Sequence, residues 1–130
     1  MSKDFEGWNT KKQKVHNEKA APFFHEREVW WCSLGVNIGA EQDGTGTNYD
    51  RPVVIIRGFN KDIFFGVALT GKKKVGKYYF PLGMIEGREA TAVLSQVRLI
   101  DAKRLVRKAQ TLNETVFAEL TKALQKTLFP

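Results

Sequence analysis

An Arg-Pro step opens an aliphatic run at Arg51-Pro52-Val53-Val54-Ile55-Ile56, and a threonine closes the next apolar run, Ile63 to Thr70. Proline lacks an N–H and is tolerated at the beginning of a strand. Between the two runs, Gly58-Phe59-Asn60-Lys61-Asp62 has the residue types of a tight reversal. Antiparallel strands joined this way set the start of the first beside the end of the second. Arg51 and Thr70 are therefore expected at one rim. The glycine-rich polar stretch from Gly35 to Asp50 brings Glu41 and Gln42 to the same edge. A guanidinium, a hydroxyl, a carboxylate and an amide at one rim suit a phosphodiester. The planar fork of Arg51 matches phosphate oxygens bidentately, Thr70 donates a hydrogen bond, Glu41 can take a proton, and Gln42 can read a base edge. The same residues also have plainer readings. Arg51 can pair with Asp50 or Asp101, Thr70 can simply end a strand, and Glu41 and Gln42 can be a solvated loop pair.

The elements that must position these groups are short. Residues 3–19 are rich in Lys, Glu and Asn, with Phe5, Trp8 and Val15 at helical spacing. They read as an amphipathic helix ended by Ala20-Ala21-Pro22, with Phe23 and Phe24 stapling it to the body. Glu28 to Leu34 is aromatic and β-branched and reads as the first strand. Val53 to Ile56 and Ile63 to Leu69 are the next two. Tyr78-Tyr79-Phe80 begins another, stopped by Pro81, and Thr91 to Ile100 supplies one or two more. Asp101 is expected to cap a short helix through Arg107. Thr111-Leu112-Asn113-Glu114 has the form of a capping box with threonine as the cap. Val116, Leu120, Ala123, Leu124 and Leu128 then give a terminal helix one apolar face. Short strands followed by one helix imply a mainly β chain, a small barrel buttressed by that helix.

With 130 residues, the chain suffices for one domain. No apolar run approaches the ~20 residues of a membrane-spanning helix, and the polar N-terminus has no signal-peptide core. The single cysteine, Cys32, makes no internal disulfide, which fits a reducing, cytoplasmic setting. Twenty-one Lys and Arg against 14 Asp and Glu give a net charge of +7. That balance suits an anionic partner such as nucleic acid, RNA or DNA. No His, Cys or Asp cluster has metal-ligand spacing, so no metal or other cofactor is expected.

Four stretches, in order, resemble the MazF/PemK family of toxin endoribonucleases: Glu28-Val-Trp-Trp-Cys-Ser-Leu; Gly39-Ala-Glu-Gln followed by Arg51-Pro-Val-Val-Ile-Ile; Gly66-Val-Ala-Leu-Thr70; and Ser95-Gln-Val-Arg-Leu-Ile-Asp101 with Lys103-Arg-Leu. The resemblance covers roughly residues 27–128, most of the chain. The gap between Gln42 and Arg51, from Asp43 to Asp50, is longer than in many members, and residues 1–26 stand outside the pattern. The expected organisation is an N-terminal helical extension over 1–26 and a toxin domain over 27–130.

The resemblance implies an SH3-like barrel with a C-terminal α-helix, usually a homodimer with RNA in a groove near the dimer interface. It implies metal-independent cleavage of single-stranded RNA such as mRNA, and a cognate antitoxin whose disordered tail fills the same groove. Without a metal, the RNA's own 2′-hydroxyl attacks, leaving a cyclic phosphate and a 5′-hydroxyl. That step needs a base, an acid and donors for the charge gathering on phosphorus. Arg51, Thr70 and Glu41 are the catalytic candidates. Arg51 stabilises charge and can protonate the leaving oxygen, but its pKa above ~12 disqualifies it as the base. Gln42, Lys72, Lys73, Lys74, Lys77 and Gln96 are the RNA-binding candidates. Arg98 and Trp30 are expected to support the site or a dimer. His16 and His25 lie outside the matched stretches and are read as surface or packing residues. Two rivals share the barrel: a noncatalytic RNA- or protein-binding module, and a toxin that inhibits DNA gyrase by contact.

Overall fold

The computed structural model describes residues 3–17, 20–35 and 50–130. Helix α1 spans Phe5–Asn17. Strands follow at β1 Glu28–Ser33, β2 Asp50–Gly58, β3 Ile63–Thr70, β4 Tyr79–Ile85, β5 Arg88–Asp101 and β6 Leu105–Thr111, with one 3₁₀ turn at Ala102–Arg104, and helix α2 at Glu114–Leu128 closes the order. All six strands form one sheet in the order β4-β5-β3-β2-β1-β6, each antiparallel to its neighbours.

Alternation along the central strands sorts the apolar side chains onto two faces. Val29, Val54, Val67 and Leu69 face one way and bury Leu120 and Leu124 of α2 with them. Trp30, Cys32, Val53, Ile55 and Ala68 face the other way, joined by Phe64, Ile100 and Leu105. Gly66 leaves the room this second face needs: a Cβ there would stand 2.5 Å from Val53 Cγ1.

The sheet curls until its two edge strands meet without a backbone ladder. Gln110 of β6 takes the place of the missing bonds, its amide donating to Met84 O at 3.3 Å and accepting from Glu86 N at 3.2 Å. Beside it, Glu86 accepts two hydrogen bonds from Arg107 and one from Trp31 Nε1. The result is a curled half-barrel buttressed by α2, the mainly β architecture expected. Glu86 and Gly87 both have positive φ, 51° and 78°, which makes the β4–β5 connection a tight two-residue hairpin turn.

Four local expectations are corrected. Residues 101–107 are not a helix. Asp101 caps only a 3₁₀ turn, accepting from Lys103 N at 2.9 Å, and the chain then enters β6. The ladder of β6 with β1 and the burial of Leu105 outweigh the helix-favouring composition there. Thr111 is consequently a strand residue paired with Glu28, and the cap of α2 is Asn113, whose side chain accepts from Thr115 N at 2.8 Å. Pro81 does not stop a strand; it lies within β4, an edge strand that pairs only with β5, so its missing N–H costs no ladder bond. Finally, Phe24 packs on Phe64 at 5.1 Å between centroids, but Phe23 is exposed.

Helix α1 docks through Trp8 alone among its aromatics, while Phe5 is exposed. Asp4 caps the helix by accepting from Gly7 N at 2.9 Å. The Trp8 ring occupies the space a side chain would need at Gly35, whose φ is +75°. The Arg104 guanidinium lies over the same ring at 5.7 Å and donates to Ser33 O at 2.9 Å.

Candidate functional site

The β2–β3 ladder carries Val53 opposite Ala68. Two residues further along each strand, Arg51 and Thr70 reach the same end, and both line one cleft of about 300 Å³. Lys72, Lys74, Tyr79, Val93, Ser95 and Gln96 complete its lining. Arg51 Nη1 donates to Leu69 O at 3.1 Å, which anchors one corner of the guanidinium to the backbone of β3. Thr70 Oγ1 accepts from Lys72 N at 3.2 Å, so the hydroxyl ties the lysine-rich turn to the strand end and keeps its own proton for another acceptor.

An irregularity in β5 delivers the remaining polar groups. Val67 pairs with Val97, yet Leu69 pairs with Ala92, so two steps along β3 span five along β5. The surplus residues bulge out, a device that re-aims side chains at sheet edges. Their backbone is held on the β4 side, where Leu94 N donates to Tyr78 O at 2.7 Å and Tyr79 pairs with Val93. Ser95 and Gln96 reach the cleft through this bulge. Among the described residues the cleft is lined by three cations, several hydroxyls and an amide, and by no carboxylate. Such a lining suits a phosphate group and charge developing on it.

The family model of the PemK-like, MazF-like toxins of type II toxin–antitoxin systems matches residues 25–128. The chain belongs to this family. Solved structures share the toxin's fold at low identity. MazF from Deinococcus radiodurans superposes with a TM-score of 0.67 at 18% identity, covering 85% of this chain and 98% of that one. An endoribonuclease from a mycobacterial species gives 0.60 at 14% identity, covering 84% and 92%. An endoribonuclease in complex with its cognate antitoxin, also mycobacterial, gives 0.63 at 15%, covering 85% and 98%. A search of curated proteins found no match.

The toxin's other expected site residues scatter around this cleft. Arg51, Thr70, Lys72, Lys74 and Gln96 share it; Lys73 lines a neighbouring cleft instead, and the Lys77 ammonium sits 4.9 Å over the Tyr78 ring. Glu41 and Gln42 lie outside the described residues. Arg98, half-buried on β5 opposite Gly66, acts electrostatically on Cys32 and Arg104 and does not line the cleft. Trp30 is buried and donates its indole N–H to Glu28 at 3.0 Å. Tyr79, Val93 and Ser95 also line the cleft and were not among the residues expected there. The signal for Ser95 was the polar Ser95-Gln96 pair interrupting an otherwise apolar run.

Several groups that could compete for a chemical role are engaged elsewhere. Cys32 is fully buried and donates to Trp30 O; burial, with the nearby Asp50 charge, pushes its thiol far above the ordinary range, which leaves it inert. His25 stands 3.5 Å from the Glu28 carboxylate, His16 is exposed on α1, and neither lines the cleft. Among the described residues no three of His, Cys, Asp and Glu cluster as metal ligands, and no helix is long and apolar enough to cross a membrane.

Proposed function

We propose that this toxin is a metal-independent endoribonuclease that cuts single-stranded RNA at preferred sequences. The observation that carries the reading is the meeting of Arg51 and Thr70 in one cationic cleft with Lys72 and Lys74. The nucleophile is the substrate's own 2′-hydroxyl, which also explains a preference for RNA over DNA. It attacks the adjacent phosphorus; the P–O5′ bond breaks, and a 2′,3′-cyclic phosphate and a 5′-hydroxyl result. The guanidinium of Arg51 neutralises the charge gathering on the phosphoryl oxygens and can protonate the departing oxygen. Thr70 donates a hydrogen bond to a phosphoryl oxygen, and Lys72 and Lys74 hold the neighbouring backbone. Glu41, in the segment that precedes β2 in the chain, is the candidate to take the 2′-hydroxyl proton.

Two further parts of the reading concern partners and working form. A cognate antitoxin is the proposed protein partner, since a mycobacterial endoribonuclease and the Deinococcus MazF have been solved with theirs. A cytoplasmic homodimer is the proposed working form, and light scattering behind a sizing column measures its mass directly.

The deciding experiment incubates the purified protein with long single-stranded RNA in excess EDTA, beside Arg51→Ala and Thr70→Ala. Discrete fragments ending in cyclic phosphate from the wild type, and none from Arg51→Ala, support the reading. Intact RNA across varied sequences, with folded protein, overturns it and leaves a binding module or a gyrase inhibitor.

A further inference from the structure

A second cleft, of about 280 Å³, opens on the other side of the lysine-rich turn, lined by Lys73, Val75, Pro81, Glu89 and Thr91 among others. It shares Lys72 and Lys74 with the Arg51–Thr70 cleft, so the turn stands as a cationic ridge between two cavities. The two are close, because Thr91 is the direct register partner of Thr70 across β3 and β5, which sets their Cα atoms about 5 Å apart.

The chemistry of the two cavities differs. The first has no carboxylate among its described residues; the second has Glu89, whose exposed side chain makes no hydrogen bond or ion pair among the described residues. A carboxylate repels a phosphate and accepts only from N–H or O–H donors. A nucleotide crossing the ridge therefore leaves its phosphate on Lys72 and Lys74 and turns its base toward Glu89. Val75 and Pro81, both exposed, offer apolar faces to a ring. Of the four RNA bases, guanine alone presents two adjacent N–H donors, N1–H and N2–H, matching both oxygens of one carboxylate. Cytosine and adenine set a ring-nitrogen acceptor beside their amino group, and uracil flanks its one N–H with carbonyls.

We propose that this second cleft takes a base flanking the scissile phosphate and selects guanine there through Glu89. The proposal rests on the endoribonuclease reading above. Its test digests a randomised single-stranded RNA pool with wild type, Glu89→Ala and Glu89→Gln, and sequences the new 5′-hydroxyl ends. The wild type is expected to favour guanine about 10-fold or more at one position beside the cut, the discrimination a good bidentate contact gives. Glu89→Ala should lose that preference while still cutting, and Glu89→Gln should weaken it, with thermal midpoints unchanged because the Glu89 carboxylate bonds to no described residue. A wild type without guanine enrichment beside the cut overturns the base pocket and leaves the ribonuclease reading standing. So does a Glu89→Ala variant with the wild-type cut-site pattern. A wild type that cuts no RNA overturns both.

Discussion

In the proposed reaction, Arg51 does what no other described residue of the cleft can, namely present a planar, permanently charged fork to a phosphoryl group. Removing one charge-stabilising donor from an active site typically lowers kcat by about 10²–10³. Arg51→Ala should fall in that range or beyond, and Arg51→Lys should recover little, because a point charge does not replace a bidentate fork. Single-turnover cleavage at matched thermal stability measures both. Glu28 makes a different argument at the same scale. Burial raises its pKa, but hydrogen bonds from Trp30, the His25 N–H and Lys108, with the Lys108 charge, outweigh this and hold the carboxyl below its ordinary value. A carboxyl depressed on folding contributes stability that is present above its unfolded pKa and lost as pH falls through its folded pKa. Glu28→Ala should therefore cost about 1–3 kcal/mol near neutrality, chiefly by orphaning the buried Trp30 N–H, and the gap from wild type should narrow below about pH 4. Urea midpoints at pH 7 and pH 3 show whether it does.

At the scale of elements, helix α1 is fastened by a single buried side chain. Trp8 wedges between Gly35 and Arg104, and Arg104 in turn holds Ser33 O at the end of β1. Ser33 donates its hydroxyl to Asp50 at 3.0 Å, the residue immediately before Arg51. Truncating a buried tryptophan costs about 3–5 kcal/mol when the hole does not collapse. Trp8→Ala is expected to release α1, seen as fast amide exchange across residues 5–17, while β2 and β3 keep their protection. Equal loss of protection in both regions would mean that α1 and the sheet unfold as one unit. The β5 bulge is the other element that bears on the site. It lies where β5 stops pairing with β4: before the bulge β5 pairs with both β4 and β3, and after it with β3 alone, in a shifted register.

For the whole molecule, a net charge of +7 is an electrostatic statement about partners. Binding to single-stranded RNA should weaken with salt, log K falling by about 0.7 per phosphate neutralised for each unit of log salt. The Lys72→Ala/Lys74→Ala pair should flatten that slope by about 1 to 1.5, as two backbone contacts disappear. Lys77→Ala should change it less, since Lys77 lies over Tyr78 and outside the cleft. Fluorescence anisotropy across a salt series separates the three proteins. An unchanged slope in the double variant would place the RNA elsewhere.

Whatever depends on neighbours along the chain was legible in the residues themselves. The β2–β3 hairpin needs only a reversal between two apolar runs, so the meeting of Arg51 and Thr70 followed from spacing alone, and α2 followed from its apolar stripe. The four motif stretches likewise named the family. Features that depend on partners distant in the chain were settled by the folded sheet. Residues 101–107 have helix-forming composition, but β1 waits with an open edge, and a ladder plus the burial of Leu105 is worth more than local propensity. Pro81 sits inside a strand because that strand is an edge, which no local pattern reveals. Ser95 and Tyr79 enter the cleft because β5 bulges where its pairing with β4 ends and its register on β3 shifts. Local order is written in spacing, whereas a cleft is the meeting of separate strand ends, and their register is settled only when the whole sheet has curled.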